Sequence, residues 1–529
     1  MGPNSAQQEI ISTPEAKGMR LPPTARGVNV ELSSLQNRRE SVEMRSERHR
    51  IGQLERDLHH ARQKSEARSS SEVARPLQLL QVDPKTDDRL TPKSLLSLPK
   101  EFAGLDEPHT APSNCSIAAG PAHLIVSVNS SFAVIEKSGR QLLRSNLADL
   151  FFGLAGDAFI FSPKAIYDHF RDRWAIAACA CSIDRQHSWF LLAYSHSGNP
   201  LGDWWIWMLD ASTSGGIKTG HVADCLGLSV DNNSLYLTAN LYGGQGQFLY
   251  SKFRVLGQKE LQTGGVLHGW DFWDLRNVDG TAAFCLQPAL NLRPAGVQYL
   301  LNATDDGQGL TLWSFMTPQR QDPVLSRRFI PTVRYQLAPN AKQPPTKVAI
   351  ETGDTRLGDV IFRHGMLWTA HTIAANWGEN ENVAAIQWFQ INPRAGYIIH
   401  QGIYGAPHFN YFSPAMMADG EGNVTLVFNR CGETEQPSLR FTGRRPSDEM
   451  NALGPSLLLQ QGGGTESAEW LQFSSASIAP EDRAVWIIGQ YAATRQDWAT
   501  WIGAVTFTEI EAQQRDFFGQ RLDTDPTLA

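Results

Sequence analysis

Cysteine is scarce in this chain. The six in 529 residues, at positions 115, 179, 181, 225, 285 and 431, are too scattered for a disulfide framework. No C-x-x-C pair occurs, which excludes a zinc ribbon. Cys179 and Cys181 stand at i and i+2 of an expected strand, on one face, where a direct disulfide between them is disfavoured. Unbridged, buried thiols behaving as small hydrophobes are expected. Long apolar runs are also missing, and none reaches the ~18 residues of a membrane-spanning helix. Met1 to Arg26 holds no apolar signal core, and Gly2-Pro3 with Ala6 does not fit a myristoylation motif. The expectation is a soluble chain, cytoplasmic by default or exported by a non-classical route. There is no phosphate-cradling G-x-x-x-x-G-K-[ST] loop, no haem-attachment or quinone-cofactor pattern, and the 14 histidines form no set with metal-ligand spacing. No cofactor and no metal are therefore expected. A net charge of −7, from 47 basic and 54 acidic residues, gives no nucleic-acid footprint.

What the chain does have is a repeated cassette: a turn, a buried β-run, a polar break. It is clearest at Leu235–Asn240, Met366–His371, Val424–Asn429 and Val485–Gln490. Looser copies stand at Leu124–Asn129, Trp174–Cys179 and Val297–Asn302. Seven copies spaced by about 50 to 70 residues point to a radial array of small sheets. The fold class expected is all-β, a seven-bladed β-propeller, with blades starting near 114, 158, 221, 266, 354, 409 and 469. Fifteen Trp and 44 Gly suit such a fold, the rings filling blade interfaces and the glycines serving turns. Trp204, Trp205, Trp207, Trp313 and Trp388 are assigned to the wide outer interfaces.

Composition sets the boundaries. Residues 1–111 read as a charged arm and linker, disordered or part-helical, with nine Lys/Arg and six Asp/Glu between Arg38 and Arg68. Ile51, Leu54, Leu58 and Ala61 give one short helical stripe, and prolines at 76, 84, 92 and 99 punctuate the stretch before the β region. Residues 112–508 form the propeller and 509–529 a C-terminal tail, with a short helix expected over Glu509 to Phe518. On this division, deletion of residues 1–100 should leave the propeller folded.

Several phrases resemble a group of largely uncharacterised, usually exported bacterial β-propeller proteins. They are Tyr167-Asp168 through Arg173-Trp174, Leu192-Ala193-Tyr194-Ser195 through Trp204, Ala223-Asp224-Cys225-Leu226-Gly227-Leu228, and Asp497-Trp498-Ala499-Thr500-Trp501-Ile502-Gly503. The resemblance runs over about residues 115 to 507 and implies seven blades without an established activity. Trp470-Leu471-Gln472-Phe473-Ser474 departs from it, because an acidic residue usual at that point in the group is absent.

Candidate chemistry is thin. Asp224, Asp271, Asp359 and Glu469 could converge at a propeller's mouth as the two carboxylates of a glycosidase. Aspartates ahead of inner strands also cap turns. Asn240, His371 and Asn429 close their cassettes at matching positions, which fits polar groups satisfying backbone rather than a catalytic ring. Trp377, Tyr404, His408, Tyr411, Phe412 and Trp470 fall in or beside loops, where flat rings suit a binding surface. With Asp224 they make the candidate binding residues. The reading is a non-catalytic module that recognises a protein partner or larger assembly through loops, with the arm as tether. The alternative is a carbohydrate-active enzyme or lectin using the central pocket.

Overall fold

Each of the seven cassettes falls on the second strand of a separate sheet. In the computed structural model the described residues are 18–35, 79–83, 95–106, 113–317, 322–343, 348–378, 381–464, 474–479, 483–494 and 497–508. Among them are seven sheets of four to six strands and one two-stranded ribbon, Thr213–Ser214 with Ile217–Lys218. The cassettes read as near-continuous apolar runs because second strands are covered on both faces by neighbouring sheets. Leu235, Leu237 and Leu241 pack toward one neighbour, and Tyr236 toward the next.

The first strands of the sheets are Ser116–Ala119, Phe159–Asp168, Val222–Val230, Gln287–Pro288, Ile361–Arg363, Phe409–Ala418 and Ser475–Ile478. Neighbouring ones touch, except that the fourth joins the fifth through Leu290–Asn291, which runs parallel to Ile361–Arg363; the last touches the first, so the ring closes around an axis. The architecture is a β-propeller. Space near the axis is tight: a Cβ on Gly227 would lie 2.3 Å from Thr238 Oγ1 and 2.6 Å from Pro288. Serines stitch adjacent inner strands. Ser116 Oγ accepts from Ala165 N (3.1 Å), Ser477 Oγ accepts from Ala119 N (3.0 Å), and Ser229 Oγ donates to Ala289 O (2.6 Å).

The five tryptophans assigned to outer interfaces stand on third and fourth strands. Trp204, Trp207, Trp313 and Trp388 are buried and each belongs to a cluster joining two sheets, while Trp205 is half-buried. The fourth sheet starts at Gln287 rather than near 266. Gly269–Phe272 is instead the fourth strand of the preceding sheet, and the short Gln287–Pro288 has no alternation to betray it. Val324–Pro331 is the outer strand of this fourth sheet.

The main correction concerns the first 111 residues. Gly18–Arg20 adds to the third sheet, Val28–Glu31 to the second, and Leu80–Val82 runs parallel to Tyr397–Gly405 in the fifth. Leu96–Asp106 is the outer strand of the seventh sheet, whose other three strands come from the C-terminal end of the propeller. Asp83, just after the third of these pieces, is 4% exposed; it accepts from Tyr411 Oη (2.9 Å), from Ser456 N (2.9 Å) and from the Ser456 hydroxyl. The described part of this region is therefore propeller, not tether. The helical stripe at Ile51–Ala61 and the tail helix lie outside the described residues.

Candidate functional site at the propeller axis

Five residues that are not glycine sit at left-handed φ where the chain turns into or along inner strands: Asn114 (41°), Ser162 (53°), Cys225 (56°), Cys285 (50°) and Ser413 (55°). A side chain there is strained, by roughly 1–3 kcal/mol. At Ser162, Cys225 and Ser413 the ladder skips, so these are β-bulges that re-aim side chains. The displaced N–H groups are each caught by a side chain. Ser162 N donates to Asn129 Oδ1 (3.3 Å), Cys225 N to Asp224 Oδ1 (2.6 Å), Cys285 N to Asn240 Oδ1 (2.9 Å), and Ser413 N to Thr372 Oγ1 (3.2 Å). Two of these acceptors, Asn129 and Asn240, close their cassettes. Asn429 Nδ2 donates to Gln490 O (2.6 Å), and His371 is held between Thr355 O and Gln387 Oε1, both at 2.9 Å. These agree with the backbone-satisfying role read from the sequence.

Inside this ring lie two small cavities, of about 40 and about 10 Å³. Lys164 and Gln287 line both. The larger has room for roughly two or three waters and none for a sugar ring. Lys164 Nζ donates to Asp359 Oδ1 at 2.9 Å across the axis, and Asp359 Oδ2 accepts from Ser475 Oγ at 3.1 Å, so three sheets meet at one carboxylate. Asp224, beside the smaller cavity, is 8% exposed and accepts from Ser162 Oγ at 2.8 Å. Burial raises the Asp224 carboxyl above the usual carboxylate range, against the pull of the Cys225 N–H, the Ser162 hydroxyl and Arg356.

Arg356 completes the mouth. Its guanidinium grips Asp354 with Nε and Nη2 (2.7 and 2.6 Å), while Nη1 donates to Cys225 Sγ at 2.9 Å. No sequence signal marked this arginine, because Cys225 reaches it from a different sheet, 131 positions away in the chain. On the larger cavity, His169 buries both ring nitrogens with no hydrogen-bond partner. Burial, with Arg363 nearby, lowers its pKa to about 4, so the ring is neutral near pH 7.

The remaining candidates are not at the axis. Asp271 lies on the fourth strand of the third sheet, bridged by Arg254 Nε and Nη2 at 2.7 and 2.6 Å, with Lys252 Nζ at 3.6 Å. Lys252 is fully enclosed, and burial lowers its pKa to about 8 despite Asp271. Its folded value lies below that of the unfolded chain, so between about pH 8 and 10.5 only the unfolded chain keeps the proton. The cost of burying this charge is thus fully felt below pH 8 and relieved as pH rises. The expected result is that Lys252→Met is stabilised relative to wild type near pH 7, and that the gap narrows by roughly 3 kcal/mol by pH 10.5. Paired urea denaturations across that range check it; a pH-independent gap would refute it.

Tyr404, Tyr411 and Phe412 are each 0% exposed, Tyr411 hydrogen-bonded to Asp83 and Tyr404 donating to Gly454 O at 3.0 Å. Trp377 is half-buried against the cluster between the fourth and fifth sheets, and only His408 is exposed. Glu469 and Trp470 lie outside the described residues. The aromatic surface expected for protein recognition is mostly interior, because these rings plug sheet interfaces.

The fold and the axial site define a β-propeller with a polar, strained mouth. No family model and no curated protein matches the chain. Among solved structures it is similar to an alpha-L-arabinanase of Penicillium chrysogenum in complex with arabinobiose, at 8% identity over 78% of this chain and 99% of that one, TM-score 0.38. It is also similar to a GH93 alpha-L-arabinofuranosidase of Fusarium graminearum (7%, 77% and 98%, TM-score 0.36) and to a Trypanosoma rangeli sialidase (10%, 77% and 60%, TM-score 0.36). The protein-binding reading is corrected on the chain's own structure: Tyr404, Tyr411 and Phe412 are buried, and the described parts of its tether belong to the sheets.

Proposed function

We propose that the chain is a carbohydrate-active propeller protein that works at the mouth of its axis, hydrolysing a glycosidic bond with Asp224 and Asp359. The observation carrying this reading is that two carboxylates beside the axis stand in opposed environments. Asp224 is buried with its pKa raised, which suits a proton donor. Asp359 stands against a lysine and beside space that fits water but no sugar, which suits a carboxylate that orients water. The glycan would lie over the bulge ring, its leaving oxygen toward Asp224.

The experiment is a screen of glycoside substrates and a glycan array with wild type, Asp224→Asn and Asp359→Asn. Turnover by wild type that falls at least about 10²-fold in each variant, with glycan binding retained, is expected. A rate limb falling as pH rises through the raised pKa of Asp224 should vanish in Asp224→Asn. Glycan binding without turnover would make the protein a lectin, and neither would overturn the reading.

A further inference from the structure

Two of the strained residues at the mouth are cysteines, Cys225 and Cys285, at φ 56° and 50°. They come from different stretches of chain yet bracket one rung. Cys225 N is bonded to Asp224, Cys285 N to Asn240, and Asp224 and Asn240 are directly opposed cross-strand partners. Arg356, which donates to Cys225 Sγ, also lies over the ring of Phe284 at 5.5 Å, and the neighbouring Cys285 pushes the Cys225 thiol well up from its ordinary value. Cys285 is 1% exposed, whereas Cys225 is half-buried and lines the smaller cavity. Among the six cysteines none is disulfide-bonded.

We propose that Cys225 and Cys285 are a paired oxidative modification site, which closes to an intramolecular disulfide by exchange with a low-molecular-weight disulfide. The half-buried Cys225 is the sulfur that a reagent reaches. Its thiol, as thiolate, attacks one sulfur of the reagent, forming a mixed disulfide and expelling the first small thiolate. The Cys285 thiolate then attacks the Cys225 sulfur and expels the second. Two S–H bonds and the reagent's S–S bond are exchanged for one protein S–S bond and two small thiols, the protein's protons passing to the leaving groups. Arg356 Nη1, 2.9 Å from Cys225 Sγ, stabilises the thiolate of the first step. The neighbouring Cys285 and burial hold the Cys225 thiol protonated, Arg356 opposing, so the exchange is slow near neutral pH and faster in mild alkali.

The test uses the full chain, reduced, freed of reductant and exposed to hydroxyethyl disulfide, then alkylated after denaturation. Four alkylated cysteines instead of six, a mass lower by about 2 Da before alkylation, and a cross-linked peptide joining 225 to 285 are expected. Dithiothreitol should restore six, and Cys225→Ser or Cys285→Ser should each abolish the cross-link. Six alkylatable thiols after prolonged exposure would overturn the proposal. So would a mixed disulfide that persists at Cys225, or a cross-link through Cys179 and Cys181. None of these readouts needs a substrate, so this site and the glycosidase reading stand or fall separately.

Discussion

A chain beginning at residue 112 should fail to fold cooperatively. It lacks Leu96–Asp106, the outer strand of the seventh sheet, in which Leu96 and Leu105 are buried and Phe102 packs near Trp486. Thr500 Oγ1 both accepts from Leu105 N and donates to Leu105 O, each at 2.8 Å, and loses both partners. Trp498 and Ile502 on the adjoining strand become solvent-facing edge. At roughly 1.5–3 kcal/mol for each fully buried apolar side chain, the removal costs on the order of 5–10 kcal/mol, comparable with a whole domain's stability of about 5–15 kcal/mol. Loss of Asp83 further leaves Tyr411 Oη and the Ser456 hydroxyl without their acceptor. A chain shortened only to residue 79 keeps both features and should retain a sharp thermal transition. Circular dichroism melts and limited proteolysis of the two truncations decide the matter. A chain from 112 that melts sharply within a few degrees of full length would show that the strand is dispensable.

The second large effect is expected at Asp271. Its removal leaves Arg254 and Lys252, both nearly inaccessible, facing one another without a counter-ion. Asp271→Ala should therefore destabilise by about 3–5 kcal/mol, the usual penalty for stripping one partner from a buried ion pair. Asp271→Ala combined with Lys252→Met should recover part of that loss, because the two act on one cluster. Glu381→Ala, which removes an exposed partner of Lys342, should leave the denaturation midpoint unchanged. A small effect at Asp271 would mean that water reaches the cluster.

Much of the architecture was legible because second strands are buried on both faces and advertise it. Leu235-Tyr236-Leu237-Thr238-Ala239-Asn240 could hardly be anything but a covered strand. Inner strands were harder. Gln287–Pro288 and Ser116–Ala119 are short, lie against an axis where small and polar residues fit, and carry no period. The N-terminal strands were illegible for another reason. Gly18–Arg20 and Leu80–Val82 draw their pairing energy from partners hundreds of residues away, so no local pattern announces them. At the site, Asp224 and Asp359 stood out as aspartates near inner strands. Arg356 and the pairing of Cys225 with Cys285 did not, since a cluster built from three stretches of chain is visible only once the ring is closed. The rings of Tyr404, Tyr411 and Phe412 misled because loops flank them in sequence while neighbouring sheets cover them in space.

The pairing of Phe102 with Ile502 has a consequence for synthesis. A ribosome adding roughly 5–20 residues per second emits the first of these residues tens of seconds before the second. Throughout that interval Leu96–Asp106 is out of the ribosome with its partner strand not yet made, and the earlier sheets stand as an open arc with two raw ends. Folding is thus gated by the last blade to be translated, and nascent chains stalled before it should be the ones that chaperones hold.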